Sequence, residues 1–221
     1  RTFIALTRGD WHHGQDCPPP HTDCEFDPRG LKKARWALGT ILLHNGFSDY
    51  TRSGRDAIGP WLDEYAVDLS TGESSSKAEH TGYLGFPIND AYDIESGEKL
   101  KNVIESDFDD LENRVWRRDF DNGLVLVNPS STNKKTVTSL GTGRYKRIKG
   151  ALTPAVNNGQ SVQGSVTLET TDALVLLNGE LEMDLNHDGK VDGTDLTILL
   201  NGWDDSFDAS DLEMLLSNWK T

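Results

Sequence analysis

Cysteine is scarce in this chain, with only Cys17 and Cys24 among 221 residues, separated by Pro-Pro-Pro-His-Thr-Asp. With no further pair, zinc knuckles built from two Cys pairs are excluded. A pair closing a short Pro-rich loop reads as a local disulfide of an oxidising compartment. His12, His13 and His21 lie nearby and keep a Cys/His zinc site open as the alternative. Long apolar runs are missing too: no stretch of about 18 apolar residues occurs, which excludes a membrane-spanning helix. Basic charge is in deficit, 22 Lys and Arg against 36 Asp and Glu, for a net charge of −14. Such a chain repels nucleic acid and anionic membrane surfaces. The deficit is uneven, because residues 181–221 hold 10 acidic and 2 basic side chains (net −8) and the rest hold 26 and 20 (net −6). The first residue is Arg1, with neither Met nor a signal-peptide pattern. That reads as a processed leader or as the end of a longer protein.

What is present is concentrated in the acidic tail. Asp184-Leu-Asn-His-Asp-Gly-Lys-Val-Asp-Gly-Thr-Asp195 matches the EF-hand loop, whose ligands stand at positions 1, 3, 5, 7, 9 and 12 with glycine at 6. Those places hold Asp184, Asn186, Asp188, Lys190 (through its carbonyl), Asp192 and Asp195, and Gly189 takes the sharp turn. Calcium is a hard cation that takes about six to eight oxygens, and a dense run of short carboxylates supplies them. The expected cofactor is Ca2+.

Leu196, Leu199, Leu200 and Trp203 then follow at helical spacing. The pattern returns 16 residues later, Asp208-Ala-Ser-Asp-Leu-Glu-Met-Leu-Leu-Ser-Asn-Trp219 repeating Asp192-Gly-Thr-Asp-Leu-Thr-Ile-Leu-Leu-Asn-Gly-Trp203. Over residues 181–221 this duplicated loop and helix resembles a dockerin, with Asp at loop position 12 and one helix after each loop. The resemblance implies a calcium module that attaches an extracellular polysaccharide-degrading enzyme to a cohesin-type partner. The second copy keeps Asp208 and Asp211 but lacks the first half of its loop, with Asp204 and Asp205 where the fifth position and the turn glycine belong. One calcium site is therefore expected, with a calcium-stapled helix pair that only closes the end of the protein as the plainer reading.

The middle of the chain predicts antiparallel strands. Val115–Phe120 and Leu124–Asn128 flank an Asn122-Gly123 turn. Lys135–Leu140, Arg144–Lys149, Ser161–Leu168 and Asp172–Leu177 follow at roughly ten-residue intervals, each bounded by turn residues, as in a small sandwich. Arg117, Arg118, Lys134, Lys135, Arg144, Lys146, Arg147 and Lys149 fall here; they read as outward strand faces, with a surface for an acidic ligand as the alternative. The amino-terminal part has a different grammar. Arg1–Thr7 predicts a strand, Asp27 and Pro28 a helix start, and Leu31, Ala34, Ala37, Leu38, Ile41 and Leu42 a helical face before a strand at Phe47–Tyr50. A further helix is predicted from about Ser96, with Leu100, Val103, Ile104, Phe108 and Leu111 on one side. Strand, helix, strand is a parallel α/β unit, and one and a half such units fall short of the eight in a closed barrel.

A second resemblance spans about residues 1–178. Trp61–Leu69, Gly82–Tyr92, Arg118-Asp-Phe-Asp-Asn-Gly-Leu-Val-Leu-Val-Asn-Pro129, Arg144–Gly150, Val156–Gly159, Ser165–Leu168 and Asp172–Leu177 occur in this order. Together they resemble the carboxyl end of hypothetical glycosidase-like TIM-barrel families with their C-terminal β domain. The expected fold class is α/β, then all-β, then small α. In domains this is a partial (β/α) barrel remnant (1–112), an antiparallel β-sandwich (113–178) and a calcium-loop helix pair (180–221).

The resemblance implies a secreted glycoside hydrolase acting on a polysaccharide substrate. Glycoside hydrolysis needs two carboxyl groups, one protonated and one ionised, and barrels place them at strand ends. Candidates are Asp10, Asp49, Asp63 and Glu64, with Trp11, Tyr50 and Trp61 as sugar-stacking rings; an earlier strand outside this chain is the expected place for a catalytic partner. The competing class is a non-catalytic, calcium-dependent attachment protein in which the barrel remnant and sandwich are scaffold.

Overall fold

The computed structural model describes residues 4–9, 28–44, 47–52, 62–103, 111–141, 144–162, 164–179, 185, 191–203 and 206–219. Among the described residues it is a mixed, sheet-rich fold with antiparallel sheets and three short helices named below. β1 (Ile4–Gly9) and β2 (Phe47–Arg52) pair in parallel, Ile4 opposite Phe47 and Gly9 opposite Arg52, and α1 (Pro28–Leu43) connects them. Two parallel neighbours need a crossover, which α1 supplies. Pro at its first position has φ pre-set for a helix. Leu31, Ala34, Ala37 and Ile41 form its buried stripe.

The centre is a six-stranded sheet in the order β10-β9-β12-β7-β6-β5: Ser161–Val162, Tyr145–Arg147, Asp172–Asn178, Gly123–Asn128, Trp116–Phe120 and Tyr92–Asp93. β7 and β12 lie in the middle, with Val125 opposite Val175 and Leu124 opposite Leu176. Their unbroken apolar runs belong to strands covered on both faces. Leu124, Leu126, Leu174 and Leu176 pack with Val137, Val166 and Leu168 of a two-stranded ribbon, β8 (Lys135–Val137) with β11 (Val166–Leu168). Val125, Val127, Ala173, Val175 and Leu177 form the opposite core with Trp116, Phe120, Val67, Leu84 and Leu43. α1 lies close on this face: a Cβ at Gly39 would come within 2.4 Å of the Ala173 Cβ. Any larger residue there lifts the helix off the sheet.

The predicted hairpin forms, β6 with β7, but its turn is Asp121-Asn122, one residue earlier than expected, and Gly123 pairs with Phe120 inside the hairpin. Strands occur at each of the other predicted positions. Four further particulars differ. The predicted Ser161–Leu168 strand is two strands, β10 and β11, in different sheets. The sandwich's second layer is only the β8–β11 ribbon, because α1 covers the other face. β5 lies before residue 113 yet is the edge strand of the main sheet, so the sheet crosses the expected division at 112/113. The helix predicted from Ser96 is replaced by a turn: Ser96 donates its N–H and hydroxyl to Asp93 Oδ2 at 3.2 and 2.6 Å, and a 3-10 turn over Leu100–Asn102 follows. Leu100 and Val103 pack on the core from this turn and not from a helix, whereas Leu111, also packed on the core, is helical; Ile104 and Phe108 lie outside the described residues. β3 (Val67–Asp68) and β4 (Glu73–Ser74) form a further short antiparallel pair.

The tail is a separate small core. α2 (Gly193–Asn201) and α3 (Ala209–Asn218) bury Val191, Leu199 and Leu215, with Leu185, Leu196, Trp203, Phe207, Leu212 and Trp219 packed around them. Among the described residues no helix is long and apolar enough to cross a membrane.

Candidate functional site

Two places gather polar side chains with defined geometry. The first is the tail, where each helix opens with the same device. At α2 the Asp192 carboxylate accepts from Thr194 N–H at 2.8 Å, while Asp195 Oδ2 accepts from Asp192 N–H at 2.8 Å. At α3 Asp208 Oδ1 accepts from Ser210 N–H at 2.7 Å and Asp211 Oδ2 from Asp208 N–H at 2.8 Å. These are reciprocal capping boxes, which satisfy amides that the first helical turn leaves without partners. Asp195 does more. Its side chain is in a residue 0% exposed, and its other oxygen, Oδ1, accepts from Leu185 N–H at 2.7 Å. The last position of the predicted calcium loop is thereby tied to the second. Both Asp195 oxygens thus accept a backbone amide hydrogen. Asp184, Asn186, Asp188 and Lys190 lie outside the described residues, so only Asp192 and Asp195 of the predicted ligand set are placed. Among the described residues no group of three or more His, Cys, Asp or Glu side chains is gathered about a common point.

The second place is a buried joint between α1, the segment after Trp61 and the sheet. Arg35 is only 3% exposed and grips Asp172 at the head of β12: Nη2 donates to Oδ1 at 2.7 Å and to Oδ2 at 3.0 Å, and Nε donates to Oδ1 at 3.0 Å. Nε also donates to the Ala173 carbonyl at 2.9 Å. Asp63, 3% exposed, sits in a cradle of backbone amides: Oδ1 accepts from Ala151 at 3.2 Å, and Oδ2 accepts from Leu152 and Thr153, each at 3.1 Å. Gly150 makes room for it, since a Cβ there would lie 2.2 Å from the Asp63 carboxyl carbon. Glu64, 4% exposed, accepts from Asn157 Nδ2 at 2.8 Å and lies 3.9 Å from Arg35 Nε. Burial raises the carboxyls of Glu64 and Asp172 above their ordinary values, and the Arg35 charge only partly opposes this. Burial and the Glu64 charge push the Tyr83 hydroxyl well above the usual tyrosine range, and that hydroxyl donates to the Glu64 carbonyl at 3.1 Å.

The catalytic and stacking candidates therefore fall in three groups. Asp63 and Glu64 come together, but both are enclosed and hold the joint; a raised carboxyl suits a general acid, yet no sugar reaches Glu64 in this arrangement. Asp49 and Tyr50 are the third and fourth residues of β2, in register with Leu6 and Thr7 of β1. Asp10, Trp11 and Trp61 lie outside the described residues, as do Cys17, Cys24 and the neighbouring His12, His13 and His21. Sequence reasoning missed Arg35, Asn157 and Asp172. Arg35 carried a signal, a charged residue beside Leu31, Ala34 and Leu38 on the apolar stripe, where buried charge requires a partner. Comparison with known proteins adds no relative: no protein-family model matches the chain, and neither a curated protein nor a solved structure matches it significantly.

Proposed function

We propose that this chain is the C-terminal part of a secreted, glycoside hydrolase-like protein of polysaccharide breakdown, carrying a dockerin-like module that binds calcium and attaches to a cohesin-type partner. The observation that carries the reading is Asp195, a buried carboxylate that closes the predicted calcium loop at the start of the first of two repeated helices. In this reading Asp184, Asn186, Asp188, Asp192, Asp195 and the Lys190 carbonyl hold the ion. The ion supplies a positive centre that fixes an acidic loop which would otherwise repel itself. α2 and α3 then present a stable surface to the partner. The catalytic side of the proposal rests on Asp10, which follows β1 in sequence, and Asp49 within β2, with Trp11, Tyr50 and Trp61 as sugar platforms.

A second reading, non-catalytic calcium-dependent attachment with the rest as scaffold, is favoured by the burial of Asp63 and Glu64 in a joint. Two assays separate them. Mixing the intact chain with an isolated cohesin module should give a complex on native gels that chelator dissolves; a complex indifferent to chelator, or none across a panel of cohesins, contradicts the docking role. Reducing-sugar release from polysaccharides that disappears in Asp49→Asn supports the hydrolase, and no release from any of them leaves the scaffold reading in its place.

A further inference from the structure

The joint between α1 and the sheet has more acceptors than protons. Two carboxyl groups, Glu64 and Asp172, share the Arg35 guanidinium at 3.9 and 2.7 Å, and a third, Asp63, adjoins Glu64 in sequence. Arg35 directs its Nε and Nη2 hydrogens to Asp172 and the Ala173 carbonyl, leaving Glu64 at 3.9 Å without a hydrogen bond from it. Asp63 is matched by the backbone amides of 151–153. That leaves Glu64 with Asn157, whose one amide group is shared among Glu64 Oε1 at 2.8 Å, Thr153 Oγ1 at 3.0 Å and Asp63 Oδ2 at 3.4 Å. An amide has two hydrogens for these three oxygens. On its other side Asn157 Oδ1 is buried and accepts no hydrogen bond. An ionised Glu64 here is a buried charge with half a partner, which is unfavourable in a low-dielectric site.

We propose that the joint is a proton-dependent latch, closed most firmly when Glu64 carries a proton and slackened when Glu64 ionises. The surrounding charges fit this. From α1 come Arg35, already engaged, and Lys32, whose Nζ lies 3.5 Å from Thr170 Oγ1 and acts on Asp172. From the sheet side come Asp172 and Arg147, the latter donating to the Val156 carbonyl at 2.9 Å and repelled by Arg35. Asp63 adjoins in sequence and adds negative charge, and Tyr83 contacts only the Glu64 backbone. The direction in pH follows from the raised carboxyl: the folded state holds the proton more tightly than the unfolded chain, so stability is greatest below the ordinary glutamate range. It falls as pH rises through the folded value. Asp172 contributes in the same sense.

The test is denaturant unfolding of the intact chain from about pH 3.5 to about pH 8, wild type beside Glu64→Gln, which keeps the shape of the protonated acid. The latch predicts a wild-type midpoint that drops toward alkaline pH. It also predicts a shallower drop in Glu64→Gln, with the variant above wild type at the alkaline end and level with it at the acid end. Parallel curves, or a variant weaker than wild type at alkaline pH, overturn it. The Glu64 carboxyl carbon, followed by NMR, gives a second readout independent of variant folding. A titration midpoint above that of ordinary glutamates supports the latch, and one within the ordinary range overturns it.

Discussion

The two copies of the tail repeat share sequence, helix and cap, and differ in one carboxylate. Asp195 opens α2 with a local contact to Asp192 and a second one to Leu185, ten residues back, from a fully buried position. Asp211, its equivalent at α3, makes the local contact to Asp208 and is only partly buried. The chain before each helix explains the difference. Seven residues, Asp184–Lys190, precede Val191 in the first copy, whereas the second is reached by a short turn in which the Gly202 carbonyl accepts from Ser206 at 2.9 Å and Phe207 at 3.2 Å. Trp203 and Phe207 bridge across that turn. A capping box therefore needs only the Asp-x-x-Asp spacing, while the additional reach of Asp195 needs a loop to hold. The same motif makes a local contact alone in one copy and an added longer-range contact in the other.

This contrast can be broken or sharpened by substitution. Leu199 and Leu215 are equivalent and both 0% exposed, so alanine at either should destabilise the tail by about 3 to 4 kcal/mol. Hydrogen exchange at the amides of α2 and α3 reads this out, and a large inequality would mean that the copies do not share one core. Next comes Asp195→Ala, which strands two amide donors inside the tail and should weaken it by about 2 to 3 kcal/mol. Asp211→Ala removes a cap contact and should weaken it by about 1 kcal/mol. Equal effects would erase the distinction. Smallest are the caps themselves: Asp192→Ala and Asp208→Ala should each lower helix stability by about 1 kcal/mol. Calcium protection of the fold, measured as a rise in melting temperature with added ion, should be lost in Asp192→Ala and kept in Asp208→Ala.

How much of this was legible depended on whether a local pattern had a single physical cause. The β6–β7 hairpin was, because two apolar runs flank a short polar break, although the turn falls on Asp121-Asn122 and not on Asn122-Gly123. The start of α1 was, through Pro28. The 93–103 segment was not: Leu100 and Val103 are partly buried, but spacing of apolar residues cannot tell a helix from a 3-10 turn lying against a core. Two-residue strands such as Tyr92–Asp93 are too short for any alternation to appear. The joint escaped for another reason, since its members lie up to 137 residues apart and only the fold brings Arg35 to Asp172. Asp63 and Glu64 drew notice as carboxylates, yet their neighbours, not their residue type, decide what they do. In the tail the repeat itself was the signal, and it marked both capping boxes.

Calorimetric titration of the intact chain with calcium tests the central claim most directly. The account predicts one ion bound per chain in the micromolar to millimolar range usual for such loops. The heat should disappear in Asp188→Ala and persist in Asp211→Ala. No heat up to millimolar calcium, or a site that survives Asp188→Ala, would contradict it.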